Sequence, residues 1–303
     1  MNNTSKHSNG SADHHSENED NFTPETIVII NCVLNAPLML ISIVGNALVL
    51  AAIIRTPSIR STHMIMLCSL AVSDFLVGLV AQPIYILKQL TKDRHVHHVS
   101  VIVGYSLSGI SFLTITAITV DRFLALHYHM RYATLVTESR VKYTLITIWL
   151  ISFLIDCFNV WDARVHSLIT SIIVIICILI STFSYIKICH IVRRHQLQIH
   201  AQRQAVENSY ASNDLNIVRL KRSALNTILF FMALIICYFP VYVLLTLHGL
   251  SNLNNWPTEW EFANTTVFMN SSINPLLYCW RLRELRTAVV RTAKRMLCKQ
   301  TEN

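Results

Sequence analysis

Charge is what the sequence has least of. Only 14% of the 303 residues are charged against 52% hydrophobic, where an average soluble domain is about 25% charged. So little charge argues against an ordinary soluble enzyme. Glycine is also scarce, with six in the whole chain, which argues against Gly-rich phosphate loops and long flexible linkers. The eight cysteines nearly all sit within apolar runs, with no C-x-x-C pair and no Cys/His metal spacing. Neither a disulfide scaffold nor a zinc module fits. The first 26 residues are polar and acidic and contain no apolar signal-peptide core.

What is present in quantity is apolar sequence free of Asp, Glu, Lys and Arg. A helix needs about 20 largely apolar residues to cross roughly 30 Å of hydrocarbon. Seven stretches qualify: 27–54, 61–87 (broken only by Asp74), 95–120, 143–160 (containing Asp156), 165–186, 223–248 and 262–280. They predict an all-α membrane protein, a seven-transmembrane helix bundle over 27–280, after a tail at 1–26 and before an interfacial helix and cytoplasmic tail at 281–303. The final part places Leu282, Leu285, Val289, Met296 and Leu297 near helical spacing between basic residues, the pattern of an amphipathic eighth helix lying on the membrane. Cys298 at its end is a candidate for palmitoylation or a free thiol.

Basic residues set the expected orientation, because they remain on the cytoplasmic side in short loops. With residues 1–26 outside, 20 of the 25 Lys and Arg are cytoplasmic. The +8 net charge is then a topological signal that calls for no nucleic acid. Asn2, Asn3, Asn9 and Asn21 stand in N-x-S/T sequons on the side so assigned as extracellular. Pro37, Pro83, Pro240 and Pro275 lie inside the apolar runs, where a membrane bundle tolerates them as kinks. No internal repeat of the transporter kind is evident.

An ionisable side chain at mid-membrane costs about 2.5–3.5 kcal/mol on insertion scales, so it marks function by default. Asp74 is that residue. Asn46, Ser111, Asn270, Ser271 and Asn274 are the polar residues within its expected reach. Asn270 and Asn274 are four apart and share a helical face. The cluster either holds a small hydrated cation or is a hydrogen-bonded lock between helices.

Gly45-Asn46, Ser69-Leu70-Ala71-Val72-Ser73-Asp74, Asp121-Arg122-Phe123, Trp149, Tyr185, Cys237-Tyr238-Phe239-Pro240 and Asn274-Pro275-Leu276-Leu277-Tyr278 follow one another through the seven segments. Together they resemble the landmarks of rhodopsin-like (class A) G-protein-coupled receptors. The resemblance implies a receptor without catalytic chemistry or a required cofactor, whose partner is a heterotrimeric G protein. It implies that Asp121 holds Arg122 at rest and that Arg122 then meets a Gα subunit. It implies that Tyr185 and Tyr278 approach each other as the sixth helix swings about Pro240. It also implies that Asp74, Ser111, Asn270 and Asn274 form an allosteric sodium pocket.

Departures from the family pattern are equally specific. Tyr238 stands for the usual tryptophan, Phe123 for a tyrosine, Leu220 for an acid, Leu234 for a phenylalanine and Cys177 for a proline. Fewer restraints on the resting state are expected to give basal signalling. The third helix starts His95-Val96-His97-His98 without the customary cysteine, and the loop near 159–166 is short and also lacks one. These features resemble the melanocortin receptors and their branch, which includes lipid, cannabinoid and adenosine receptors. The acidic ligand contacts of melanocortin receptors are replaced by Ile84, His97 and Val101, so a melanocortin-like peptide receptor and an adenosine-like or lipid receptor both remain open.

Gly104 occupies the place of the amine-receptor aspartate, which disfavours amine ligands. Phe268 occupies the place of the opsin lysine, which excludes retinal bound there. The expected pocket residues are Tyr85, Gly104, Tyr105, Ser108, Val241, Tyr242, Leu245, Asn264 and Phe268, an aromatic, weakly polar set suited to a small molecule, a lipid or the apolar end of a peptide. His95, His97, His98, His166 and His248 are expected near the outer helix ends, either as separate solvated side chains or as a zinc or pH sensor. A seven-helix transporter is the alternative class, although it would call for more inward charge than Asp74.

Overall fold

The structure is a computed structural model that describes residues 25–57, 61–128, 131–205, 231–250 and 257–300. The described residues form helices and turns, with no strand among them. The long helices are α1 (Glu25–Arg55), α2 (Thr62–Thr91), α3 (Arg94–His127), α4 (Glu138–Cys157), α5 (Ala163–Ala205), α6 (Phe231–Leu250), α7 (Pro257–Arg281) and α8 (Arg283–Gln300). The first six of these include or make up spans long and apolar enough to cross a membrane. In α7, Glu259 and Glu261 precede the apolar run, which itself contains Asn264, Asn270 and Asn274.

The bundle is assembled around α3, which packs against α2, α4, α5 and α7, while α1 packs against α2, α7 and α8. Leu70, Ile110, Val77 and Val49 are nearly inaccessible in the interior. Large apolar side chains face outward along α1, α4 and α5, including Val33, Leu40, Leu150, Leu154, Ile172, Leu179 and Phe183. Exposed apolar surface of this extent would promote aggregation in water and suits lipid contact. Gly45 lets α1 approach α7: a Cβ there would lie 2.9 Å from Pro275 Cγ.

Helix α2 contains a π turn at Val77–Ala81. The wider turn shifts the helical phase between Asp74 and Tyr85. Lys92 ends α2 in the left-handed conformation, with φ 52°. Asp93 immediately caps α3, its Oδ1 accepting from the backbone N–H of His95 at 2.6 Å and of Val96 at 3.2 Å. These backbone donors hold the Asp93 carboxyl below the usual carboxylate range.

Two boundaries differ from the sequence expectation. Helix α4 starts at Glu138 rather than 143, because Thr137 caps it and Glu138 pairs with Lys142 at 2.6 Å across one turn. Charged residues thus extend the helix beyond its apolar run. The expected loop at 159–166 is shorter still. A 3-10 turn, Phe158–Val160, is followed by Trp161 and Asp162, and Asp162 accepts from the N–H groups of Arg164 and Val165 to start α5. His166 therefore lies in the first turn of a helix. The expected eighth helix forms as α8, with Leu285 and Ala288 buried.

Candidate functional site

Asp74 is fully buried in α2. Its Oδ1 accepts from Ser111 Oγ of α3 and Ser271 Oγ of α7, each at 2.8 Å, and its Oδ2 accepts from Asn274 Nδ2 at 2.8 Å. Helix α1 closes the cluster: Ser42 Oγ donates to the Asp74 carbonyl at 2.7 Å, and Asn46 Nδ2 donates to the carbonyls of Ser42 and Ser271. Four helices converge on one acid. Of the polar residues expected within reach of Asp74, Ser111, Ser271 and Asn274 hydrogen-bond its carboxylate, whereas Asn270 is buried without a hydrogen bond to it. Residues three apart share a face as readily as residues four apart, and the rotation of α7 selects 271 with 274.

At the Arg122 end of the bundle, Asp121 is buried and Arg122 is partly exposed. Arg122 Nη2 lies 3.0 Å from Asp121 Oδ2, and Tyr132 OH donates to Asp121 Oδ1 at 2.6 Å. His63 Nδ1 stands 3.7 Å from the same carboxylate. Burial, then the hydrogen bond to Asp121, push the Tyr132 phenol up to about 12. Arg122, Tyr185, Tyr278 and His63 line one cavity. Tyr185 OH is 3.2 Å from Thr119 Oγ1. Pro240 lies within α6, where the nearby Cys237 carbonyl accepts from Thr266 Oγ1 of α7 at 3.0 Å. Tyr238 reaches across to α3, donating to the Ser108 carbonyl at 3.0 Å, with its ring centroid 4.7 Å from that of Phe112.

The opposite end, marked by His166, is hollow. Tyr85, Gly104, Tyr105, Ser108, Asn264 and Phe268 line a cleft between α2, α3 and α7. Tyr105, Ser108, Val241 and Leu245 also line an apolar chamber that reaches α4 and α5. A vestibule of about 620 Å³ shares Tyr105 with both, Asn264 with the cleft and Leu245 with the chamber. A Cβ on Gly104 would meet nothing within 4 Å, so this position leaves open space. Tyr242 departs from the expected set: it packs beside the buried core and stands in the wall of none of these three spaces.

Two acids at this end escaped the sequence reading of functional residues. Glu261 is buried on α7, paired with Lys88 at 3.0 Å and hydrogen-bonded by Tyr85 and Gln89 of α2. Thr265, one turn on, joins it to Asn31 and Asn35 of α1. Glu261 immediately precedes the apolar run 262–280, so the run's edge concealed it. Asp156 is buried on α4 and meets His166 Nε2 at 2.8 Å. His166 is thus buried, and His248 Nδ1 lies 3.0 Å from Ser167 Oγ, which corrects the reading of these two as solvated loop histidines. Among the described residues no group of three or more His, Cys, Asp or Glu could hold a metal ion, so a zinc site finds no support there. The sequons and Leu220 lie outside the described residues, as does the Cys298 side chain.

The fold and this geometry define a seven-helix membrane bundle with a polar cluster at its centre and a cavity at each end. The family model described as 7 transmembrane receptor (rhodopsin family) matches residues 45–161. The histamine H2 receptor of Rattus norvegicus is 28% identical over 289 residues, covering 86% of this chain and 78% of that receptor. G-protein coupled receptor 12 of Mus musculus is 25% identical over 261 residues, covering 80% of this chain and 75% of that protein. The chain is thus similar, over part of its length, to rhodopsin-family seven-transmembrane receptors, a receptor family rather than an enzyme family. These comparisons do not single out the melanocortin, adenosine or lipid branch.

Proposed function

We propose that this chain couples binding of an extracellular ligand to nucleotide exchange on a heterotrimeric G protein. The observation that carries the reading is the cavity where Arg122, held by Asp121, meets Tyr185 and Tyr278. Exchange of the Asp121 pair for contacts with a Gα subunit would shift the bundle between two states. The amino-terminal tail is extracellular and glycosylated at its sequons, and Cys298 carries the palmitate that anchors α8. A sodium ion modulates the resting state. The donors suit such a hard cation, being the Asp74 carboxylate, the Ser111 and Ser271 hydroxyls and the buried, unpaired Asn46 Oδ1.

The ligand enters by the vestibule and rests in the adjoining cleft and chamber. Gly104 removes an anchoring acid from α3, and Phe268 removes a Schiff-base lysine, so neither a conventional α3-anchored amine nor retinal is proposed. A small molecule, a lipid or a peptide terminus fits the aromatic lining. The decisive experiment screens a ligand library against G-protein biosensors, with Arg122→Ala at matched surface expression as control. Responses that survive in the control do not pass through this site. Ion flux in proteoliposomes lacking G protein would favour a transporter instead.

A further inference from the structure

Asp156 differs from every other buried acid in the described bundle. Asp74 has three side-chain donors. Asp121 has Arg122 and Tyr132, and Glu261 has Lys88. Asp156 has His166 alone. That histidine's other nitrogen, Nδ1, lies 3.1 Å from Asn159 Nδ2. An amide nitrogen offers only hydrogens, so Nδ1 accepts and the proton of a neutral ring resides on Nε2, where it is donated to Asp156 Oδ1. No Lys or Arg among the described residues pairs with the Asp156 carboxylate. Asp156 is only 5% exposed, and its Oδ2 has no hydrogen bond to a described residue. Two basic side chains at this end are engaged elsewhere: Lys88 with Glu261 at 3.0 Å, and Arg164 with the Gly249 carbonyl at 3.0 Å.

The wall in which Asp156 stands is the α4 side of the apolar chamber, shared with Ile155, Ile173, Val174 and Phe112. A buried carboxylate without a Lys or Arg partner in such surroundings gains from a cation that arrives beside it. We propose that Asp156, positioned by His166, is the anchoring acid for the ligand, and that the ligand is a protonated organic amine whose aromatic or aliphatic body fills the chamber. This inference rests on the receptor reading of the same cavity. It also narrows the expectation drawn from Gly104: α3 lacks the counter-ion, and α4 supplies one from the other side of the chamber.

The test uses the purified full chain in lipid nanodiscs, with benzylamine, phenethylamine and tryptamine as probes and the matching alcohols as uncharged controls. The amines are expected to raise the melting temperature and the alcohols to leave it unchanged. Asp156→Asn should weaken amine binding by about tenfold or more, and Asp156→Glu should restore part of it. The Asn variant alone should melt no lower than the parent, because it removes the unpaired charge and retains an acceptor for His166. A merely structural acid would instead lower the melting temperature. Equal shifts by amines and alcohols, no shift by any amine, or unchanged affinity in Asp156→Asn would overturn the proposal. Should the Asn variant fail to fold, the amine and alcohol comparison on the parent chain decides. GTP exchange is measured in the same preparation against Arg122→Ala. Exchange without amine binding removes only the Asp156 anchor, whereas amine binding without exchange removes the receptor reading and leaves the anchor standing.

Discussion

The two ends of the bundle are held together by different means. At the Arg122 end the central contacts are between near neighbours in the chain: Asp121 with Arg122, and Tyr132 eleven residues on. At the His166 end several ties join positions far apart, such as Lys88 with Glu261 and Arg164 with Gly249. No described cysteine forms a disulfide, so these ties at the His166 end are noncovalent. One end carries a local pair beside a cavity; the other is a distributed clasp around an open vestibule. The difference teaches that, under the proposed receptor reading, movement and binding would place opposite demands on the same helices.

The largest expected effect breaks the local pair. Arg122→Ala should abolish G-protein activation at matched surface expression, because no other described cation at that end contacts Asp121 with a guanidinium's geometry. The departures at Tyr238, Phe123 and Leu234 lead us to expect basal exchange in the parent chain, above the Arg122→Ala level. Equal basal output in the two proteins would refute that expectation.

Next comes the clasp. Lys88→Met leaves Glu261 buried without its cation, and we expect a loss of about 3 kcal/mol, read as a lowered melting temperature in detergent. Lys88→Met combined with Glu261→Gln should recover most of it. A double variant as unstable as the sum of its parts would show that the pair carries no coupling.

The seven segments were legible because crossing a membrane demands apolar length, and Asp74, Arg122 and Tyr278 were legible because polar groups stand out within such runs. The choice of Ser271 over Asn270 depended on how α7 is rotated, which a periodicity shared by both residues does not encode. The Lys88–Glu261 pair spans more than half the chain, with one partner beyond the edge of an apolar run. Asp156 was visible as a residue, but its meaning required His166, which the sequence reading had left among loop histidines. Short-range ties such as Tyr132 to Asp121 and Asp93 at the start of α3 lay in connecting segments, where hydropathy carries no signal.

A packing change gives a smaller effect than loss of the clasp. Gly45→Val would drive its Cβ to 2.9 Å from Pro275 Cγ, and the overpacking should cost about 1–3 kcal/mol. An unchanged melting temperature would show that α1 can retreat from α7 freely. Smaller again is Tyr132→Phe, which removes one donor to Asp121 at a cost of about 1 kcal/mol. It should raise basal exchange a few-fold, as Arg122 is held less firmly. Reduced basal exchange would mean that Tyr132 supports the active state instead.

The smallest expected effect lies at the exposed cap that starts α3. Asp93 is solvent-exposed, yet its carboxylate satisfies the N–H groups of His95 and Val96, so Asp93→Ala should speed hydrogen exchange at those two amides with little change in global stability. The sign with pH follows from the depressed carboxyl pKa. The cap contributes fully above the ordinary carboxylate range and fades as pH falls through the lowered folded value. Parent and Asp93→Ala should therefore differ most at neutral pH and converge under acid, whereas Asp93→Asn, which keeps an acceptor without titrating, should protect the amides at both. If the parent's protection held constant through the acid range, a neutral acceptor would suffice at this cap, and the charge of Asp93 would add nothing to the start of α3.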